Sequence, residues 1–483
     1  MNNIGTNSSA TNRILEALGE TKDLLIEVGQ LFEKSGFEIS LVGGPVRDAI
    51  LGKSVKDLDL TTNAKPEEIQ KTLKNWAEDI WDVGIKFGTV GARKKDFIFE
   101  ITTYRTEQYE DTSRKPSVEF GKSLEEDLAR RDFTINAMAL KLPNFELVDI
   151  YNGLSDLNSK TLKTPLDPEI SFSEDPLRML RAARFIAKLE LRPDEKLVEV
   201  MKKLAERINI VSMERINDEF NKLLLTNKPR VGIELLVETD LATHFLPELP
   251  ALKLEIDEHH HHKDVYQHSL TVLDQVIDLE KNHQPNFEPD LILRLAALLH
   301  DIGKPKTRKF EGEGRVSFHH HEVVGARLAK KRLEKLRYSN EIIENIVLLI
   351  ELHLRFHGYG EGKWTDSAVR RYVRDANDQL VRLHKLTRAD CTTRNAMKAE
   401  KLRKAYDDLE ARIVELSKEE ELKSMRPELD GQEIMKVLNI KPGPVVGKAY
   451  QFLLDLRLDQ GILGPEKAKE ELIKWWVNVR GEK

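Results

Sequence analysis

Cysteine is nearly absent from this chain: Cys391 is the single one among 483 residues. One thiol excludes an internal disulfide framework and fits a reducing compartment, so the sequence predicts a cytoplasmic protein. No apolar run is long enough to span a bilayer, which argues against a membrane role. Charge of one sign is lacking too. The formal net charge of −6 argues against indiscriminate polyanion binding, and any nucleic-acid contact has to use local basic patches. No fixed-period repeat is visible, which excludes solenoids and arrays. Residues 1–12 are rich in Asn, Ser and Thr and have neither a basic start nor an apolar stretch. They read as a disordered tail and not a signal peptide.

What is present is an ordinary globular composition, 40% hydrophobic and 33% charged, in a chain too long for one hydrophobic core. From about residue 13 to 35, Ile14, Leu15, Leu18, Leu24, Leu25, Ile26, Leu31 and Phe32 recur at helical spacing, and Gly36 closes the run. Strand-like runs follow at Glu38–Val42, Phe87–Val90 and Phe97–Thr103, with a helix expected around 66–77. The sheet is confined to residues 37–150; the rest of the chain is helical by period, with few strand candidates, and a proline- and histidine-rich loop from Pro247 to His262 marks a boundary.

Within the strand-rich third, Asp57 and Asp59 stand one residue apart in Val55-Lys56-Asp57-Leu58-Asp59-Leu60-Thr61. On a strand, residues i and i+2 share a face, so both carboxylates project into one site. Two hard oxygen ligands at that spacing suit Mg²⁺ together with substrate phosphates. Upstream, Leu41-Val42-Gly43-Gly44-Pro45-Val46-Arg47-Asp48 offers a glycine turn that a phosphate can approach and an arginine to neutralise it. This is equipment for nucleotidyl transfer.

Two further constellations follow. One is Glu125-Glu126-Asp127-Leu128-Ala129-Arg130-Arg131-Asp132-Phe133-Thr134-Ile135-Asn136-Ala137; the other is Glu174-Asp175-Pro176-Leu177-Arg178 continuing to Arg181 and Arg184. Pro176 suits a first helical turn, and the steps of three place Asp175, Arg178, Arg181 and Arg184 along one ridge. An acceptor beside a planar donor can hydrogen-bond the edge of a nucleobase. Taken together, the motifs over residues 37–230 resemble the class II nucleotidyltransferases, the bacterial-type CCA-adding enzymes and poly(A) polymerases. That resemblance implies two Mg²⁺ on Asp57 and Asp59, and a triphosphate held by Gly43, Gly44, Arg47 and Arg131. It also implies that Asp175 and Arg178 read the base edge of CTP or ATP, with Arg181 and Arg184 completing the pocket. Glu100, on the strand after Gly88, is the candidate for a third carboxylate.

The second half carries a separate metal signature. His300-Asp301 ends the apolar run Leu293–Leu299, with Gly303 as its stop; His268 precedes it, and His319–His321, His353, His357 and Asp390 follow. Imidazole and carboxylate ligands suit a transition metal such as Zn, Mn, Fe, Co or Ni. The pattern is similar to HD phosphohydrolase domains, which implies His268, His300, Asp301 and Asp390 as ligands, with His321 and His353 available to a second ion. The run His259–His262 reads as an exposed loop, and Cys391 as a packed residue without a catalytic role. An HD domain behind such a head, with Tyr359–Asp366, looks most like the HD-containing CCA tRNA nucleotidyltransferases of actinobacterial type.

The expected architecture is therefore α+β: a small nucleotidyltransferase head (13–165) with a mixed, mainly antiparallel sheet, and a helical neck (166–250) for base recognition. An HD domain (251–375, with Asp390 in the following helix) and a helical C-terminal region (376–483) complete it. The basic face between Arg370 and Lys404 is a candidate tRNA contact. The expected activity is untemplated CCA addition to tRNA from CTP and ATP, with an accessory HD site. The alternatives are a poly(A) polymerase or partial CC- or A-adding enzyme, a nucleotide phosphohydrolase with a sensory head, and an RNA-binding module with vestigial sites.

Overall fold

The structure is a computed structural model. It describes the chain except for residues 1–12, 56, 85–87, 111–112, 122, 255–263, 284–287, 312–315, 359–363, 392–395, 421–425 and 482–483. The expected tail at 1–12, the loop His259–His262 and residues 359–363 of the Tyr359–Asp366 segment lie outside the described residues. The chain divides into two compact units, Met1–Pro247 and Glu248–Lys483.

The first unit is built on a seven-stranded sheet. Its strands are β1 (Ile39–Val42), β2 (Asp57–Thr62), β3 (Asp79–Gly84), β4 (Thr89–Lys94), β5 (Phe97–Thr103), β8 (Ala139–Lys141) and β9 (Glu146–Val148), in the order β3-β4-β5-β2-β1-β8-β9. Only β2 and β5 pair in parallel; the other neighbours are antiparallel. β6 (Arg105–Glu110) and β7 (Ser113–Phe120) form a separate hairpin. All four residues of β1 are buried, while β2 alternates, with Leu58 and Leu60 inward and Asp57 and Asp59 outward. That alternation fixes the register, because a one-residue slip would bury both carboxylates.

The helix Thr21–Lys34 covers β1 with Leu24, Leu25, Val28 and Phe32 at helical spacing. It ends as expected at Gly36, in the left-handed region at φ 82°. The expected single helix from 13 to 35 is interrupted at Gly19, also at positive φ, and the expected 66–77 helix is the shorter Pro66–Leu73. After the sheet, helices Leu177–Leu189, Met213–Leu224 and Pro229–Glu238 pack on one another.

The second unit is almost entirely helical. Leu291–Leu299, whose seven residues from Leu293 onward are all buried, packs against Val265–His283, Asn340–Leu352 and Leu380–Asp390. The helix that bears Asp390 is therefore part of the same core as His300. Gly431–Leu438, Pro444–Gln460 and Pro465–Gly481 gather around a second cluster containing Leu429, Ile434, Leu453 and Leu472. Among the described residues, no helix is long and apolar enough to cross a membrane.

Candidate active sites

In the head, β2 and β5 bring three carboxylates together. The parallel register sets Asp59 opposite Glu100, with Asp57 two residues along the same outward face. The Asp59 carboxyl is held above the usual carboxylate range, first by desolvation and then by Glu100, with Arg131 pulling it down and Asp57 adding to the rise. Its side chain still reaches solvent. Three acids of like charge, one already resisting ionisation, form a donor set that a hard divalent cation would relieve.

Gly43 caps the short helix Gly44–Ile50 at φ 75° and ψ −132°, a conformation that disfavours other residues. A Cβ there would stand 2.8 Å from Arg131 Nη1, so the glycine also makes room for that guanidinium. Arg131 is steered by the buried Asp127, whose Oδ2 accepts from its Nη2 at 3.2 Å; its Nε is buried without a partner. Burial alone would raise the Asp127 carboxyl, but Arg130 and Arg131 outweigh it and hold the group below the ordinary range.

The remaining arginines belong to one network. Arg47 Nη1 donates to Asn136 Oδ1, whose Nδ2 donates to Asp132 Oδ1 at 2.9 Å. Arg181 Nε donates to the other Asp132 oxygen at 2.9 Å, and its Nη1 reaches Glu219 at 3.3 Å. Arg184 Nε donates to Glu219 Oε2 at 2.6 Å. Arg47, Arg181 and Arg184 also surround the Phe185 ring at 5.2, 5.5 and 4.4 Å. Asp132 is pushed up by burial, yet Arg181 and Asn136 bring it below the usual range.

Pro176 precedes the helix Leu177–Leu189 instead of lying inside its first turn, and Asp175 Oδ1 accepts from the Leu177 backbone N–H at 3.1 Å. Arg178 is buried and donates to Ser171 Oγ at 3.0 Å and to the Arg130 carbonyl at 2.6 Å. The residues singled out in the sequence are thus carried by β2, β5, Gly43 with the helix Gly44–Ile50, the Arg130–Asn136 segment, Asp175 and the helix Leu177–Leu189. The organising roles of Asp127, Asp132 and Asn136 were missed although they lie inside a recognised motif. Glu219 was missed because it comes from a helix with no motif.

In the second unit the histidines and aspartates also converge. His268 Nε2 lies 2.9 Å from Asp390 Oδ1, His300 Nε2 3.2 Å from Asp301 Oδ2, and His321 Nε2 3.2 Å from Asp301 Oδ1. Two groups of three ligands emerge, His268–His300–Asp390 and Asp301–His321–His353, each with its donor atoms within 4.8 Å of one another. His300, His321 and His353 each place Nδ1 against the carbonyl three residues back, of Ala297, Phe318 and Ile350, at 2.8, 2.9 and 2.6 Å. A carbonyl only accepts, so Nδ1 carries a proton in each ring and Nε2 faces the cluster; on His300 the neighbouring Asp301 and Asp390 favour a second proton at Nε2, which a bound metal would displace.

Those three Nε2 atoms are buried without a hydrogen-bond partner. Imidazole nitrogens oriented by outer hydrogen bonds toward shared carboxylates are what a metal centre requires, and the residues fit one or two divalent ions. With no ion, burial depresses His300, but Asp301 and Asp390 overcome it and push it up to about 10. Burial and the His300 charge press His353 down to about 3. Gly303 has an ordinary negative φ, so it is not a left-handed stop. Its role is steric, since a Cβ would collide with the His321 carbonyl of the adjoining helix. Lys304, which the sequence did not single out, places Nζ 3.0 Å from Asp301 Oδ2.

Three family models match parts of the chain. Residues 39–163 match the poly(A) polymerase head domain, 190–252 the "probable RNA and SrmB-binding site of polymerase A", and 265–417 the HD domain. A CCA-adding enzyme of Lactobacillus helveticus is 42% identical over 214 residues, 44% of this chain and 52% of that protein. One from Streptococcus gordonii is 39% identical over 245 residues, 50% of this chain and 60% of that protein. The chain thus spans about half the length of the curated relatives it matches. Nothing in these relatives supports the actinobacterial qualifier.

Among solved structures, the Bacillus stearothermophilus CCA-adding enzyme in complex with CTP superposes with a TM-score of 0.63 at 22% identity, covering 95% of this chain and 98% of that one. The Thermotoga maritima CCA-adding enzyme complexed with tRNA gives 0.63 at 19% identity over 97% and 98%. At such identities the likeness establishes a shared fold.

Proposed function

We propose that this chain, whose residues 39–163 belong to the poly(A) polymerase head-domain family, is a cytoplasmic enzyme that adds C, C and A to the 3′ end of tRNA from CTP and ATP. The observation that carries this reading is the Asp57–Asp59–Glu100 triad facing the Gly43–Arg131 corner, with the names of the curated relatives in support. Two Mg²⁺ bound to Asp57 and Asp59 would supply an acidified RNA hydroxyl and charge stabilisation for departing pyrophosphate. The chain's own groups do the rest. Arg47 and Arg131 bind the triphosphate, Asp175 and Arg178 select the base by its Watson–Crick edge, and Arg181 and Arg184 hold the pocket.

For the HD cluster we propose hydrolysis of phosphoesters with a transition metal. His268, His300, Asp301 and Asp390 would hold the ion, with His321 and His353 for a second one; the unpartnered Nε2 atoms support a bound metal over simple packing of the histidines.

The test presents CTP and ATP separately to tRNA lacking one, two or three 3′ residues. Full CCA addition requires CTP alone to extend the shorter ends by C and ATP alone to extend only the end finishing in CC. Extension of every end by ATP alone would assign poly(A) synthesis instead.

A further inference from the structure

Across the head sheet, rows of opposite residues run from the edge strand to the catalytic acids. Trp81 on β3 pairs with Gly91 on β4, Gly91 with Glu100 on β5, and Glu100 with Asp59 on β2. Opposite residues share a face, so all four belong to the outward one. The alternate row, Ile80, Ala92, Phe99 and Leu58, lies on the other face, where Ala92, Phe99 and Leu58 are buried. Gly91 puts no side chain between Trp81 and Glu100. At the spacing of neighbouring strands, Trp81 stands about 10 Å from Glu100 and about 14 Å from Asp59. Trp81 is 37% exposed, although β3 is the edge strand and an indole gains nothing from facing water. The outward row beside it is Asp79, Arg93, Ile98 and Asp57, in which Ile98 is 48% exposed next to Asp57.

The strand order decides which substrate this indole meets. In β3-β4-β5-β2-β1, the acids occupy β5 and β2, Gly43 follows β1 on one side of them, and Trp81 stands on β3 on the other. In-line displacement puts the attacking and leaving oxygens on opposite sides of the phosphorus. With the triphosphate at the Gly43–Arg131 corner, the attacking hydroxyl arrives from the β3 side. An aromatic side chain stacks any of the four bases, because each has a π-face, and so suits an RNA end whose last base differs from one addition to the next. We propose that Trp81 is the platform on which the unpaired 3′-terminal base of the RNA stacks, bringing the hydroxyl of that nucleotide to Asp57 and Asp59. The proposal deepens the nucleotide-addition reading above and rests on it.

The experiment measures CTP addition by the full chain with Mg²⁺ to tRNA lacking its CCA. Trp81→Leu keeps an apolar cover without a ring, and Trp81→Phe keeps a ring. The Leu variant should raise KM for the tRNA about tenfold and change KM for CTP by less than about twofold, while the Phe variant stays within about threefold of the wild type. On the wild type, a tRNA whose 3′-terminal nucleotide is abasic should show the same rise of about tenfold, and with that tRNA the wild type and the Leu variant should agree. A wild-type KM for tRNA in the Leu variant, a rise in KM for CTP instead, or a Phe variant as impaired as Leu would overturn the proposal. So would an abasic end that costs the wild type nothing. Each of these outcomes leaves CCA addition standing. If the wild type adds no nucleotide to the tRNA, the nucleotide-addition reading fails and the proposal falls with it.

Discussion

Asp59 and Glu100 face each other across the one parallel pair of strands in the head sheet, 41 residues apart in the chain and directly in register. Their mutual repulsion helps hold the Asp59 carboxyl above its ordinary range, after desolvation. Such a group binds a proton more readily in the fold than in the unfolded chain, so its contribution favours folding at low pH and is lost as pH rises through the folded value. Asp59→Asn should therefore raise the melting temperature of the metal-free protein near neutral pH, and the stabilisation given to the wild type by Mg²⁺ should disappear. Thermal melts with EDTA and with Mg²⁺ check this. Asp57→Ala and Asp59→Ala should each reduce CTP and ATP addition by more than about 10³-fold while tRNA binding survives, because several kcal/mol of charge stabilisation go with the metals. Near wild-type turnover in either would dismiss the site.

Asp132 gives the opposite pH dependence. Its carboxyl lies below the usual range because Arg181 and Asn136 outweigh its burial. The stability it lends is present above the unfolded carboxylate value and is lost as pH falls through the lower folded one. Asp132→Ala should cost about 3 kcal/mol near neutral pH, the low end for a buried pair because Arg181 stays partly exposed. It should also raise KM for both nucleotides, since Asn136 and Arg47 lose their anchor. Urea titrations across the acid range measure the first effect, and a wild-type acid profile in the variant would refute it.

Asp175 and Arg178 are expected to govern nucleotide choice more than triphosphate affinity. An unpaired polar edge in a closed pocket costs about 1–3 kcal/mol. Asp175→Ala or Arg178→Ala should then narrow the preference for CTP and ATP over UTP and GTP by roughly 5- to 150-fold. Misincorporation assays with all four nucleotides decide it. A uniform loss would instead make Arg178 a brace, as its bonds to Ser171 and Arg130 allow.

His300→Ala should remove bound transition metal and phosphoester hydrolysis while leaving CCA addition intact. Metal analysis of the purified variant alongside both assays tests the separation. Loss of nucleotide addition with correct folding would show that the two activities depend on each other.

How far the sequence could be read follows from the range of each interaction. Asp57 and Asp59 were legible because strand alternation is local, and so was the closing turn at Gly36. β8 and β9 were not, since three-residue strands carry too little pattern to stand out. The break at Gly19 was hidden inside a run that kept its helical period. Arg181 and Arg184 could be placed on a helix ridge, but their partner Glu219 lies 35 residues or more along the chain and only packing reveals it. Gly303 shows the same limit, for a glycine that stops a helix and one that admits a neighbouring helix look alike in sequence.

The most direct measurement is the 3′-terminal sequence of tRNA lacking its CCA after incubation with the full chain, CTP, ATP and Mg²⁺. The account predicts that C, C and A are added in that order and that extension stops after A. Oligo(A) tails, a product ending at CC with ATP present, or unextended tRNA would contradict it.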